Sequence, residues 1–564
     1  MDKYRALLIE WCDALLRAQI TDESDPYYGG FRCDADDYIH GRADNAIYPL
    51  VFAYTLTKEE KYLSGARKLL VFRKKLTEDT GAVHNDFTSE WRGITAFSAI
   101  NLLKTLLYYG ESLPSDLTSE IEACAQASAT WVHDHMTKGF RANVNYYCAA
   151  AEVNALCYEL HRDEAYRVRA KELLDYALSL FTENGLLSGE GQPHDGASPR
   201  GCLPIDIGYV VEESLPCLLE TATILGEEKA LARLTENARK LLDFMLPDGG
   251  WDNSFGVRNN KWTYYGSRTS DGVIGAFAEL SKRDDVFTEA AERTYEILRK
   301  CTHEGKLQGG MHYRENGQPA CIHHTFCHAG ALADAIRAGI KEPEKRLFLP
   351  SDERTIGYKY YPEIGTYKIH AGDYLATVTE YDYATYTYSN GAAHAGGGTL
   401  SLLYKQGTGA MIAGSVYEYH TTEKNNMQLP TSDVRHATLL VRAEYEKDGV
   451  TYATCLDKAP TATIGKQTDA VFVTVKAHFY TAQTQSAEDP NRTANIEYRF
   501  TPSGVTIRVH GLGNARFVLP LIKGTGEVVT KNSFEKKSVF FLTGGFAADE
   551  YTFNGEGDLT IKII

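Results

Sequence analysis

The residues best equipped for chemistry lie in one stretch, DGGWDNSFGVRNNKWTYYGSRTSDG, residues 248–272. It carries Trp251, Asn253, Arg258, Trp262, Tyr264, Tyr265 and Arg268 between two helical patterns. Tryptophan faces stack on sugar rings. Guanidinium groups fork onto carboxylates, and a tyrosine beside a cation serves as acid or base. A loop this long is costly to order unless it has a task. We read it as one wall of a carbohydrate site; the plainer alternative is a set of aromatics filling the base of a helical bundle.

The elements that must position this wall are helices. Up to about residue 340, apolar residues recur at helical spacing in twelve segments: 3–18, 45–56, 59–75, 92–110, 116–136, 144–161, 163–181, 208–225, 227–245, 270–282, 285–300 and 324–339. Their connections alternate in length. Long ones fall near 19–44, 76–91, 137–143, 182–207, 246–269 and 301–323, and short ones near 57–58, 111–115, 162, 226 and 283–284. Antiparallel helices alternate direction, so every long connection reaches the same end of the bundle. Six hairpins of this kind predict a closed (α/α)6 toroid over residues 1–340, its long loops rimming one mouth. GIKEPEKRLFLPSDE is a proline-bearing linker, placed at 341–350. Beyond it, over 351–564, runs such as TYKIHAGDYLATVTEY and NIEYRFTPSGVTIRVHG alternate between turn residues, which predicts an antiparallel β-sandwich.

The mouth gathers groups suited to an anionic sugar. Its connections bring His84, Asp86, Trp91 and Arg92; Arg141, Asn143, Asn145 and Tyr146; His194, Asp195, Arg200, Asp206, Tyr209, Glu212 and Glu213; and His312, Tyr313, His323 and His324. Removing the C5 proton of a uronic acid requires an amide or cation on the neighbouring carboxylate, so that the developing enolate is stabilised. It also requires a base for the proton and an acid for the departing oxygen. Asn143 and Asn145 begin a helix, where an anion is favoured. Either amide could hold the carboxylate. Tyr264 or Tyr265 is the acid, the base or both, aided by Arg268 or Lys261, and His84 or His324 is the second base. Trp251, Trp262, Arg268, Arg92, Tyr146, Tyr209, Arg200, His323 and His394 are the candidate binding residues. Each has a plainer reading: a cap for the asparagines, a loop hydrogen bond for His84, arginine pairing for Asp206 and Glu212, an ordinary hairpin for His394.

Composition narrows the partner. A formal charge of −16 excludes nucleic acid as a general partner and leaves an anionic glycan tenable where arginines gather. The N-terminal MDKYRALLIEWCDALLRAQI is broken by Asp2, Glu10 and Asp13, so it reads as an amphipathic helix and not a signal peptide. No stretch has the length of a membrane span. Eleven scattered cysteines suit free thiols in a reducing compartment, so a cytoplasmic role is expected, with a periplasmic or secreted one if an export signal has been removed. His324 and His328 stand four residues apart, a spacing that can bind zinc, but no HExxH string accompanies them.

The ring followed by a sandwich resembles the toroid-plus-sandwich polysaccharide lyases, the heparinase II/III-like group and its relatives. GASPRGCLPIDIGYVVEESLP, WTYYGSRTSDG and CIHHTFCHAGALADA look like strings of the gellan-type and rhamnose–glucuronate lyases. DGGW…YYG is similar to the motif around the catalytic tyrosine of chondroitin AC-type lyases, although Asn253 and Ser254 stand where those have a histidine. The resemblance implies β-elimination on a uronic-acid-containing glycan, with Tyr264 or Tyr265 as the counterpart phenol and Asn145 as carboxylate neutraliser. It implies no required cofactor, and a structural divalent metal in the sandwich with His370, Asp373 and His394 as candidate ligands. Two alternatives stand beside it. One is a glycoside hydrolase of the unsaturated-glucuronyl type using Asp86, Asp195, Asp206 or Asp252; the other is a glycan-binding protein without catalysis.

Overall fold

Short connections are short because their helices stop on a single left-handed residue and restart at once. Ile47–Thr57 ends on Lys58 at φ 61°, Val144–His161 on Arg162 at φ 55°, and Leu215–Leu225 on Gly226 at φ 66°. Asp163 then caps the next helix, Glu164–Ser179, by accepting from the Ala165 N–H. A computed structural model describes residues 2–35, 38–191, 196–383, 394–419, 438–482, 489–555 and 557–564. Taking the run from Ile207 to Leu225 as one, the described residues contain twelve main helices, ending with Ile322–Ala338. The inner ones, such as Val144–His161, are apolar nearly all round and buried; outer ones, such as Glu228–Leu241, bury one stripe.

The first helix, Lys3–Ala18, closes the ring against the last pair. The Tyr4 hydroxyl donates to Glu292 at 2.7 Å, the Trp11 indole to Thr302 at 3.1 Å, and Arg299 pairs with Glu10 at 2.7 Å. Among the described residues no helix is long and apolar enough to cross a membrane. All eleven cysteines are free thiols, ten of them buried.

Among the described residues the C-terminal region holds three larger antiparallel sheets, one more than a simple sandwich needs. One has five strands between Ile356 and Ala413, a second has five and a third has six. Thr366–Ala371 and Tyr374–Thr379, in the first, are buried along almost their whole length. Leu375, Leu402 and Tyr404 face the helical core, while Ala376, Val378 and Leu400 face the β core. That sheet is therefore the middle layer between ring and sandwich, which is why its strands lack a solvent-exposed face. It meets the ring at the long-connection end: the Tyr381 hydroxyl donates to Leu203 O at 2.7 Å, Thr182 to Glu363 at 2.7 Å, and Lys368 pairs with Asp252. The mouth is thus walled by the β region.

Candidate active site

Asp206 organises the cluster. It caps the helix that starts at Ile207 by accepting from the Tyr209 N–H at 3.1 Å, and it also accepts from the Arg258 N–H at 3.1 Å and the Asn253 amide at 3.2 Å. One buried carboxylate so ties connection 180–206 to connection 242–273, and it places Tyr209 beside Arg258. The Arg258 guanidinium lies 3.7 Å from the Tyr209 ring centroid, and Lys261 Nζ stands 3.5 Å from the Tyr209 oxygen.

The helix then widens into a π turn over Val210–Ser214, a local form that often marks function. Within it Glu212 accepts from the Ser267 N–H at 2.7 Å and lies 3.2 Å from His328 Nε2. A Cβ on Gly266 would stand 2.0 Å from that carboxylate, so this turn requires glycine. Glu213 accepts from the Asn145 amide at 2.6 Å and lies 3.5 Å from Arg42. Arg42 also pairs with Asp271 and donates to Thr269 O at 3.0 Å. Thr269 sits at φ 70°, an uncommon conformation for a β-branched residue, with its hydroxyl 2.6 Å from the Tyr209 oxygen.

Burial sets the charge. It pushes Glu213 up to about 8, with Asp271 adding to the rise and Arg42 opposing it. It pushes Glu190 up to about 7 although Arg258, 3.2 Å away, opposes this. Asn145 Oδ1 and Glu190 Oε1 are buried with no hydrogen-bond partner. Such groups are costly to leave unpaired, and a hydroxyl-rich ligand would satisfy them. A cavity of about 70 Å³ along the ring axis reaches the cluster's floor at Glu212, Glu213 and Asp271.

The residues expected from sequence divide. Asn145 and Tyr209 lie in the cluster; Asn143 occupies a cap position without making the cap bond. Tyr146 leads outward to Trp91, whose indole donates to its hydroxyl at 3.1 Å and which is 39% exposed. Tyr265 and His324 form a neighbouring pair, 3.0 Å apart, with the Tyr265 hydroxyl also donating to Gln308 O at 2.9 Å. Arg268 turns to Tyr313 and donates to Leu542 O at 2.8 Å.

Other expected residues fall elsewhere. Tyr264 donates to Asp248 at 2.9 Å and packs on Phe546, and Trp251 and Trp262 are fully buried at the ring–sheet junction. The aromatic stretch thus fills core at one end and lines the cluster at the other, because alternate residues of so short a hairpin face opposite ways. His84 and Arg92 share Glu78 on the rim, at 2.7 and 2.5 Å. Arg200 pairs with Glu380 at 3.0 Å across the domain junction. His323 is buried against His40 and Phe326. His394 is buried under Tyr381, 2.5 Å from Tyr383 O. His194 and Asp195 lie outside the described residues.

The expected metal ligands do not converge: His370 meets Glu353 O at 3.2 Å, Asp373 pairs with Arg354, and His394 is spent as above. His324 and His328 are engaged with Tyr265 and Glu212. The carboxylates kept for hydrolysis hold structure: Asp86 closes a turn onto Thr88 at 2.7 Å, and Asp252 bonds Ser254 at 2.7 Å and pairs with Lys368. Arg42 and Glu190 escaped sequence reasoning. The signal for Arg42 was a charged pair in HGRADN, on the edge of an apolar helix.

A family model described as the ulvan lyase N-terminal domain matches residues 8–352, and one described as the ulvan lyase C-terminal domain matches residues 358–539. A broad-specificity ulvan lyase of Formosa agariphila is 33% identical over 540 residues, covering 93% of this chain and 83% of that protein. A chondroitin AC lyase of Streptomyces coelicolor A3, solved with chondroitin sulphate, superposes with a TM-score of 0.54 at 13% identity, over 100% of this chain and 80% of that one.

Proposed function

The chain belongs to the ulvan lyase family, and from that premise we propose that Tyr209 is its acid and base, acting on a polysaccharide of the ulvan class. The protein is a polysaccharide lyase that cleaves an anionic, uronic-acid-containing glycan by β-elimination. The observation that carries the assignment is Tyr209 itself, with Lys261 Nζ 3.5 Å from its oxygen and Arg258 over its ring face, in a cluster where Asn145 and Glu190 each keep a buried unmet acceptor.

In this reading the two cations balance negative charge on the phenolic oxygen, which takes the C5 proton. Electrons of the C5–H bond form the C4–C5 double bond, the C4–O bond breaks, and the same proton passes from Tyr209 to the leaving oxygen. Asn145 and protonated Glu213 meet the uronate carboxylate. They supply hydrogen bonds that strengthen as charge develops there, in a buried site where such bonds are worth most. Trp91 and Tyr146 carry a neighbouring sugar at the open side.

The test is ultraviolet absorbance of the conjugated alkene on incubation with ulvan and with other uronate glycans. We expect product from ulvan in the wild type and a collapse of the signal in Tyr209→Phe with binding retained. Wild-type rates in that variant would end the assignment of the phenol. Product from another uronate glycan but none from ulvan would end the substrate assignment alone.

A further inference from the structure

The first and last long connections meet next to the Tyr209 cluster at three buried metal-ligating groups. Cys33 ends the first strand of a small hairpin, Arg32–Cys33 with Tyr38–Ile39, and His40 follows the second. Cys321 is the N-cap of the helix Ile322–Ala338. One ligand atom from each of the three lies within 4.8 Å of the others, and it is the one such group of three or more among the described residues. The two sulfurs are 3.5 Å apart as free thiols. A disulfide would bring them to about 2.05 Å, whereas two thiolates on a tetrahedral zinc, each about 2.3 Å from it, stand about 3.8 Å apart. The His323 ring lies 4.9 Å from that of His40, and both of its nitrogens are buried without a hydrogen-bond partner.

We propose that Cys33, His40 and Cys321 bind one zinc ion, with His323 turning to complete a Cys2His2 set. The donor chemistry favours zinc: two thiolates and imidazoles suit it and suit calcium or magnesium poorly. The neutral imidazole is the ligating form. The thiols must each release a proton to solvent as the metal enters, so uptake is favoured by rising pH. The site is structural in consequence. It would staple the first connection to the last across the seam of the ring. It would also hold the turn Gly41–Ala46, from which Arg42 reaches Thr269 and Glu213.

The test uses the whole protein purified under reducing conditions. Elemental analysis after zinc loading and desalting should give about one zinc per chain. Cobalt substitution should give thiolate-to-cobalt charge-transfer bands, and chelation should lower Tm by several degrees. Cys321→Ser and His40→Ala should each lose most of the bound zinc, and His323→Ala should weaken it at least tenfold. Should a variant fail to fold, competition of the wild type against a chromophoric chelator gives the same answer. Less than about a tenth of an equivalent of zinc in the loaded wild type would overturn the proposal. So would zinc retained by Cys321→Ser, or a Cys33–Cys321 disulfide in freshly prepared protein.

Discussion

Tyr209 and Tyr264 are both fully buried tyrosines at connection 242–273, yet the charged groups nearest them are of opposite sign. The Tyr209 hydroxyl lies 2.6 Å from that of Thr269, donates to Arg268 O at 3.3 Å and has Lys261 Nζ at 3.5 Å, with Arg258 against its ring, while Tyr264 donates to the Asp248 carboxylate at 2.9 Å. Burial, with the Asp248 charge second, holds Tyr264 well above the ordinary phenol range. A phenol locked onto a carboxylate resists ionisation; one with an ammonium near its oxygen and a guanidinium on its ring can carry negative charge during proton transfer. The comparison teaches that burial alone does not mark a reactive tyrosine, and that the sign of the surrounding charge does.

The strongest way to break this contrast is the pair of phenylalanine variants. Tyr209→Phe should cut kcat by about 10³-fold with the circular dichroism spectrum unchanged. Tyr264→Phe should keep kcat within about threefold and lose stability, since it leaves a buried carboxylate short of a donor. Reversal of the two would overturn the comparison. Asn145→Ala should come next, lowering kcat/KM by about 10²-fold through loss of the amide offered to the uronate; a change in KM alone would reduce it to a binding residue. Lys261→Met should cost about tenfold in kcat, and it sharpens the contrast by removing one cation while keeping the phenol.

Glu213 supplies a smaller and pH-dependent effect. Its folded titration lies at about 8, above the ordinary carboxylate range, so the folded state holds a proton the unfolded chain has released. Stability must then fall as pH rises from the ordinary carboxylate range to about 8 and level off above it. Activity should decline through the upper part of that window, as a charged Glu213 repels the uronate. Glu213→Gln should flatten both curves, measured as Tm and kcat/KM against pH; an unchanged alkaline limb would remove Glu213 from the reading. The smallest effect expected is Trp91→Ala, a rise in KM of about threefold to tenfold from one lost stacking face, with kcat steady.

Much of the site was legible as location and little of it as role. Asn145 and Tyr209 could be placed at the mouth because each lies where a long connection enters an inner helix. Which phenol meets the cations was not legible. Tyr264, Tyr265 and Tyr209 are all aromatic residues near arginines in sequence, and strand alternation over Trp262–Thr263 and Gly266–Ser267 turns neighbours to opposite sides. Arg42 was missed because it lies more than 200 residues from its partners at 269 and 271, and sequence distance carries no trace of that meeting.

By itself the sequence determined the ring: hydrophobic period and the alternation of long and short connections are local properties, and twelve antiparallel helices so joined have one way to bury their inner faces. It also determined the change to β structure after the last helix and the gathering of polar groups at one end. Only the tertiary structure decided that a doubly buried sheet walls the mouth, that Glu212 and Glu213 share a π turn, and that Tyr209 rather than Tyr264 meets the cations. Those outcomes depend on charges and packing brought together from distant connections, and electrostatic energy depends on distance in space, not along the chain.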